Sequence, residues 1–247
     1  MMGQTPTIAL LPGLLCDASV WCAQKTALER LAPVVIADFS HLSCLTEMAS
    51  AVLDSTDGLL VAIGHSMGAR VALEMVRLAP QRIVGLALID TGIHPRREGE
   101  QAKRQVLVDL AYQQGMAALA DEWLPPMVAP DRNRDESLLT PLKAMVARAT
   151  ADQHARQIKA LLNRPDARDG LARIVCPTLV MVGRQDQWSP LAQHEEIASL
   201  IATAELAVIE NCGHMSVVER PEETTQRLIT WISSRVFQKG RAGEVTS

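Results

Sequence analysis

Aromatic side chains are nearly absent: one Tyr, two Phe and four Trp make up 3% of 247 residues. A stacking platform for single-stranded nucleic acid needs such rings, so that class of partner is excluded. Positive charge is not in excess either. Lys and Arg number 24 against 28 Asp and Glu, a formal net charge of −4 with a pI near 5.9. That balance offers no general attraction to nucleic acid or to an anionic membrane surface. No apolar run approaches the ~20 residues that span a bilayer. The first residues lack a basic segment, and the apolar stretch 8–15 is interrupted by Pro12-Gly13, so no signal peptide is expected. Cys16, Cys22, Cys44, Cys176 and Cys212 are odd in number, with no C-x-x-C pair and no neighbouring His ligand set. They read as reduced thiols, which favours a reducing compartment and makes a cytoplasmic location the expectation.

What is present is ordinary globular material, 48% hydrophobic and 21% charged, with Leu, Ile, Val, Ala and Met left to fill the core. Short aliphatic runs alternate with longer stretches of helical period, the pattern of a parallel sheet covered on both faces. The runs predict six strands, at 7–11, 34–37, 59–63, 84–89, 178–182 and 205–209. Helices are predicted near 20–31, 46–54, 67–78, 191–201 and 221–233. Ser189-Pro190 reads as an N-cap with proline at the first helical position, and Arg220-Pro221 opens the last helix similarly. Between about 93 and 169 the alternation fails, and helical stretches at 101–112 and 138–149 follow one another without a strand. Pro125-Pro126, Pro130 and Pro165 punctuate this insertion, and 171–175 leads back to the next strand. The expected organisation is a core of 1–92 and 170–237, a mostly helical cap of 93–169 without a large core of its own, and a loose tail of 238–247.

The strongest motif follows the third strand. Gly64-His65-Ser66-Met67-Gly68 is G-x-S-x-G, and Val71, Leu73, Met75, Val76 and Leu78 continue it at helical spacing. A serine in a tight strand-to-helix turn is held in strained backbone with its hydroxyl exposed above the sheet. A Gly-rich turn can also merely pack tightly or bind an anion at the helix start. A dinucleotide fingerprint or a phosphate-binding P-loop would need residues that are not here.

A serine hydroxyl needs a base to take its proton and a carboxylate to fix that base. Asp186 follows the 178–182 strand and His214 follows the 205–209 strand, with Gly213 beside it suggesting a turn that aims the side chain. Loops at the carboxyl ends of parallel strands share one edge, where Ser66 also lies. Asp186 could instead be a turn carboxylate. Asp90 ends the 84–89 strand at the same edge and competes for its role, or else caps the insertion or lines a pocket. His65 is expected to pack beneath the turn, His41 and His154 to be surface or loop residues, and His194 to lie on a solvated helix face. His94 begins the insertion within reach of a substrate. None has a metal-ligand partner at suitable spacing, so no metal is expected.

Acyl transfer also needs donors for an oxyanion, and the backbone N–H groups of Met67 and, from Leu11-Pro12-Gly13-Leu14-Leu15, of Leu14 are the candidates. Leu-Pro-Gly-Leu-Leu, Gly-His-Ser-Met-Gly, Gly-Arg-Gln-Asp and Asn-Cys-Gly-His-Met, in this order, resemble the α/β-hydrolase superfamily along nearly the whole chain. Within it the resemblance is to the small capped esterases, lactonases and C–C hydrolases. It implies a cofactor-free enzyme working through an acyl-serine intermediate on a small or medium carboxylic ester, a lactone or a ring-fission product. A non-catalytic binding protein on the same fold is the alternative of another class. Two departures stand out: Pro12-Gly13 occupies the place of the usual His-Gly, and only six residues precede the first strand, so the customary N-terminal hairpin is expected to be missing.

For the substrate the chain says less. The stretch 94–165 carries a local charge of +2 and the remainder −6, which could steer an anionic substrate but also fits an ordinary charged helical surface. Trp123, Leu124, Met127, Val128, Met145 and Trp188 are candidates for an apolar pocket wall.

Overall fold

A computed structural model describes residues 5–238. The chain runs β1 (Thr7–Leu11), α1 (Cys22–Leu28), β2 (Val34–Ile36), α2 (Leu45–Asp54), β3 (Leu60–His65), α3 (Met67–Leu78) and β4 (Ile83–Ile89). An insertion then supplies α4 (Glu100–Trp123), α5 (Glu136–Ala147), α6 (Ala151–Leu162) and the single turn α7 (Arg168–Leu171). The sheet resumes with β5 (Thr178–Gly183), α8 (Leu191–Leu200), β6 (Ala204–Ile209), the single turn α9 (Ser216–Glu219) and α10 (Pro221–Trp231). From residue 239 onward the tail expected at 238–247 lies outside the described residues.

The six strands form one sheet in the order β2-β1-β3-β4-β5-β6, with every pairing parallel. Every residue of β3 and β5 is buried. Because successive strand side chains point to opposite faces, both faces of the sheet must be covered. Helix α1 packs on α10, and α2 on α3. No strand precedes β1 among the described residues.

Register sets the working edge. Leu11 pairs with Gly64 and Gly183 with Ile209, so neighbouring strands end level and release their loops side by side. The chain winds one way from β1 to β2 and then crosses back to β3, and a reversal of this kind opens a crevice at the carboxyl ends of the strands.

The insertion departs from its expected description in two ways. A third long helix, α6, adds to the two expected, and α4 runs on to Trp123 through a kink at Gly115 (φ 86°). Leu119, Leu139, Val146 and Ile158 of these helices belong to the same continuous buried cluster as the sheet. At the start of α8, Pro190 itself occupies the cap position with extended backbone, and Ser189 makes no side-chain cap.

Candidate active site

Ser66 sits between β3 and α3 at φ 53°, ψ −113°, a conformation that costs a non-glycine residue on the order of 1–3 kcal/mol. Neighbours hold it there. Its N–H donates to Ile89 O (2.8 Å), and its carbonyl accepts from the Thr91 hydroxyl (3.0 Å) and from Ala69 N–H (3.1 Å). Gly68 permits the turn to close against β1: a Cβ there would fall 2.0 Å from Leu11 O.

The Ser66 hydroxyl lies 2.8 Å from His214 Nε2, and His214 Nδ1 lies 2.8 Å from Asp186 Oδ2. An ionised carboxylate only accepts, so Nδ1–H donates to Asp186 and Nε2 is left to accept from Ser66. The other Asp186 oxygen accepts from Trp188 N–H (2.8 Å) and Ser189 N–H (2.9 Å), which fixes the carboxylate's orientation. Burial works against charge on both partners, yet their mutual attraction prevails. His214 is raised above its usual 6.5 by Asp186, and Asp186 is held below 3.8 by His214 and the Ser189 N–H.

The loops carrying this pair are braced by groups that the sequence left unread. Glu219 is buried, and its Oε1 accepts from Gly213 N–H (2.9 Å) and Met215 N–H (3.2 Å) on either side of His214. Its Oε2 reaches Ala129 N–H (2.9 Å), and His214 N–H donates to Met127 O (2.7 Å), so the insertion grips the histidine loop. Gln157 of α6 accepts the Leu15 N–H (2.8 Å), fixing the loop after β1, where Leu15 takes φ 57°. No local motif signals such groups, because each braces a loop distant in sequence.

Asp90 neither caps the insertion nor lines the cavity. It is fully buried, accepting Gly183 N–H on Oδ1 (3.0 Å) and Ser216 N–H on Oδ2 (3.1 Å), and so ties the Asp186 loop to the His214 loop. Burial and the nearby Asp186 push it up to about 8. His65 is buried beneath Ser66, and its Nε2–H donates to His214 O (2.8 Å). Two other histidines differ from expectation. His194 is fully buried, its Nε2 accepting Thr91 N–H (2.8 Å), and His154 is fully buried on α6. Each lies three or four residues from a buried isoleucine, Ile197 or Ile158, on the same helix face. Burial, first of all, lowers His65, His154 and His194 to about 4, so all three are neutral at physiological pH.

A cavity of about 270 Å³ opens above Ser66 and His214, and Leu14, Met67, Met127, Trp188 and His94 all line it. Met67 opens α3, so its N–H has no carbonyl four residues back to occupy it. The Trp188 ring lies 6.4 Å from that of His214. Trp123 differs from its expected place: it is buried among the helices and is not part of the cavity lining, nor are Leu124, Val128 and Met145. His94 is held by Glu196 (3.2 Å) and Arg168 (2.9 Å). Among the described residues no group of three or more His, Cys, Asp or Glu could hold a metal ion, and no helix is long and apolar enough to cross a membrane.

A parallel sheet in this order, with a serine on a strained strand-to-helix turn after β3 and an Asp and a His delivered by the loops after β5 and β6, defines the α/β-hydrolase fold. The model of the alpha/beta hydrolase family matches residues 8–227, and the chain belongs to that family. The putative carbamate hydrolase RutD of Stutzerimonas stutzeri (strain A1501) is 26% identical over 259 residues, 98% of this chain and 97% of the relative. The biotin biosynthesis bifunctional protein BioHC of Cellvibrio japonicus (strain Ueda107) is 25% identical over 233 residues. That match covers 88% of this chain and 46% of the relative, so the chain spans about half of that longer protein. A solved thermophilic esterase from Thermogutta terrifontis with malate bound superposes with a TM-score of 0.83 at 27% identity, covering 94% of this chain and 90% of that one. Family and relatives together make the chain a hydrolytic enzyme.

Proposed function

We propose that the chain is a serine hydrolase of small or medium carboxylic esters. The observation that carries this reading is the unbroken hydrogen-bond path from Ser66 Oγ through His214 to Asp186, opening on a cavity. In it the Ser66 oxygen attacks the ester carbonyl while its proton passes to His214 Nε2. Asp186 steadies the imidazolium, and the backbone N–H groups of Leu14 and Met67 receive the oxyanion. Collapse of the tetrahedral intermediate breaks the bond to the alcohol oxygen, which takes the proton from His214. Water then adds to the acyl-serine by the same route in reverse, regenerating Ser66 and releasing the acid. The helices between β4 and β5 act as the cap, residues 93–169, over a core of 1–92 and 170–237. The cysteine pattern fits work in the cytoplasm.

The test is turnover of short 4-nitrophenyl esters, a lactone and an aryl carbamate by the wild type and Ser66→Ala, with fluorophosphonate labelling of the wild type. Ester turnover should fall at least ~10³-fold in the variant, and the label should map to Ser66. Full activity in Ser66→Ala sinks the assignment. An unlabelled, inactive wild type points to a binding protein instead.

A further inference from the structure

The cavity above Ser66 is cationic. Arg70, Arg97, Lys103, Arg104 and Arg164 contribute to its wall against the carboxylates of Glu98 and Glu100 alone. Three of these seven charges, Glu100, Arg104 and Arg164, have structural work. Glu100 accepts from Arg164 on both oxygens (2.8 and 2.6 Å), from Arg104 (2.8 Å) and from Arg97 N–H (3.1 Å). Arg164 spends its remaining donors on the carbonyls of His94, Pro95 and Leu161.

Arg70 is different. It follows Ser66 by four residues, one turn of α3 or ~6 Å of rise, and both side chains face the same cavity. Its guanidinium makes one hydrogen bond, to His94 O (3.2 Å), and among the described residues no carboxylate lies within ion-pair distance of it. A guanidinium presents five N–H donors in a rigid fork matched to a carboxylate, and the donors that part-buried Arg70 does not spend on His94 are open to an anion in the cavity. Burial, and then repulsion from Arg164, lower Arg70 to about 9, so it remains charged at neutral pH.

We propose that Arg70 receives a carboxylate carried by the substrate, so that the esters preferred by this enzyme are anionic. The proposal rests on the serine-hydrolase reading of Ser66. A volume of about 270 Å³ falls just below the ~300–1,000 Å³ of typical ligand sites, which sets the substrate as a small acid ester. The carboxylate lies a few bonds from the scissile carbonyl, and the exposed Arg97 and Lys103 draw the anion to the mouth.

The test compares two matched pairs: mono-(4-nitrophenyl) succinate with 4-nitrophenyl pentanoate, and 3-acetoxybenzoate with its methyl ester. The first pair places the carboxylate on the acyl side and the second on the alcohol side. In the wild type kcat/KM should favour the anion in at least one pair. Arg70→Met should lower that preference roughly 10- to 100-fold, the scale of a lost charge-assisted hydrogen bond, and Arg70→Lys should keep part of it. A merely structural Arg70 would leave the ratio unmoved. Protection of wild-type Ser66 from fluorophosphonate by succinate, set against succinamide, reads the same contact without any variant. The proposal is overturned by a neutral preference in both pairs, by an unchanged ratio in Arg70→Met, or by equal protection from succinamide. Absence of both labelling and turnover overturns the serine-hydrolase reading as well, which separates the two failures.

Discussion

Asp186 and Asp90 stand at one sheet edge, both buried, yet their surroundings drive them to opposite protonation states. Asp186 meets an imidazole and two backbone N–H groups and is held ionised. Asp90 meets burial and the Asp186 charge and is pushed up to about 8, so it is protonated at neutral pH. Only the ionised carboxylate can fix the His214 tautomer and stabilise its positive charge. Asp186→Asn should therefore lower kcat/KM on aryl esters by roughly 10³–10⁴-fold. Asp90→Asn removes one acceptor from two buried backbone donors, and we expect a stability loss of about 1–3 kcal/mol with less than ~10-fold change in rate. Urea melts and steady-state kinetics on the two variants separate these roles. Equal rate losses would instead place both carboxylates in the proton relay.

At the scale of elements, the site depends on how closely β1, β3 and α3 approach. A Cβ on Gly68 would lie 2.0 Å from Leu11 O and 2.7 Å from Pro12 O, backbone atoms that cannot step aside without moving the loop that carries Leu14. Gly68→Ala should cost about 2–4 kcal/mol, or roughly 4–16 °C in Tm for a domain of this size. Gly170→Ala is the control, since its Cβ would meet nothing nearer than Arg173 Nη2 at 4.0 Å. A Gly68→Ala melt that overlays the control would show that the two segments can separate freely. These elements were largely legible in the sequence, because strands buried on both faces are short continuous aliphatic runs and α3 has a clean helical period. The segment 7–11 and the helix 67–78 match β1 and α3. The insertion was less legible. Pro141 lies inside α5, Gly115 kinks α4, and α6 buries His154 and Gln157 beside Ile158, so polar residues occupy its inner face. Glu219 and Gln157 carry no local signal for the same reason, since a buried brace looks like a surface residue until its distant partner is known.

For the whole molecule, pH couples stability to the proposed chemistry through different histidines. His65, His154 and His194 are buried neutral, each lowered from 6.5 to about 4, first of all by burial. A base with a depressed native pKa binds its proton more readily in the unfolded chain. Stability from these three groups is therefore full above pH 6.5 and lost as pH falls toward 4. Asp90 acts in the opposite sense. Its raised pKa lets the folded state hold a proton that the unfolded chain has released above about pH 4, so acidification from about 8 toward 4 favours folding at that site. Three histidines outweigh Asp90 and Glu219, whose carboxyl burial likewise raises, and the net loss between pH 6 and 4.5 should be roughly 1–3 kcal/mol per pH unit. His214 behaves differently again, because it must be neutral to take the Ser66 proton and Asp186 raises it above 6.5. The acid limb of kcat/KM should thus have its midpoint above pH 6.5, where the fold still retains its histidine-dependent stability. Parallel pH series of ester kinetics and thermal melts should show activity disappearing first, reversibly, with unfolding at lower pH. If activity and cooperative melting vanished together below pH 6, His214 would not be the titrating base.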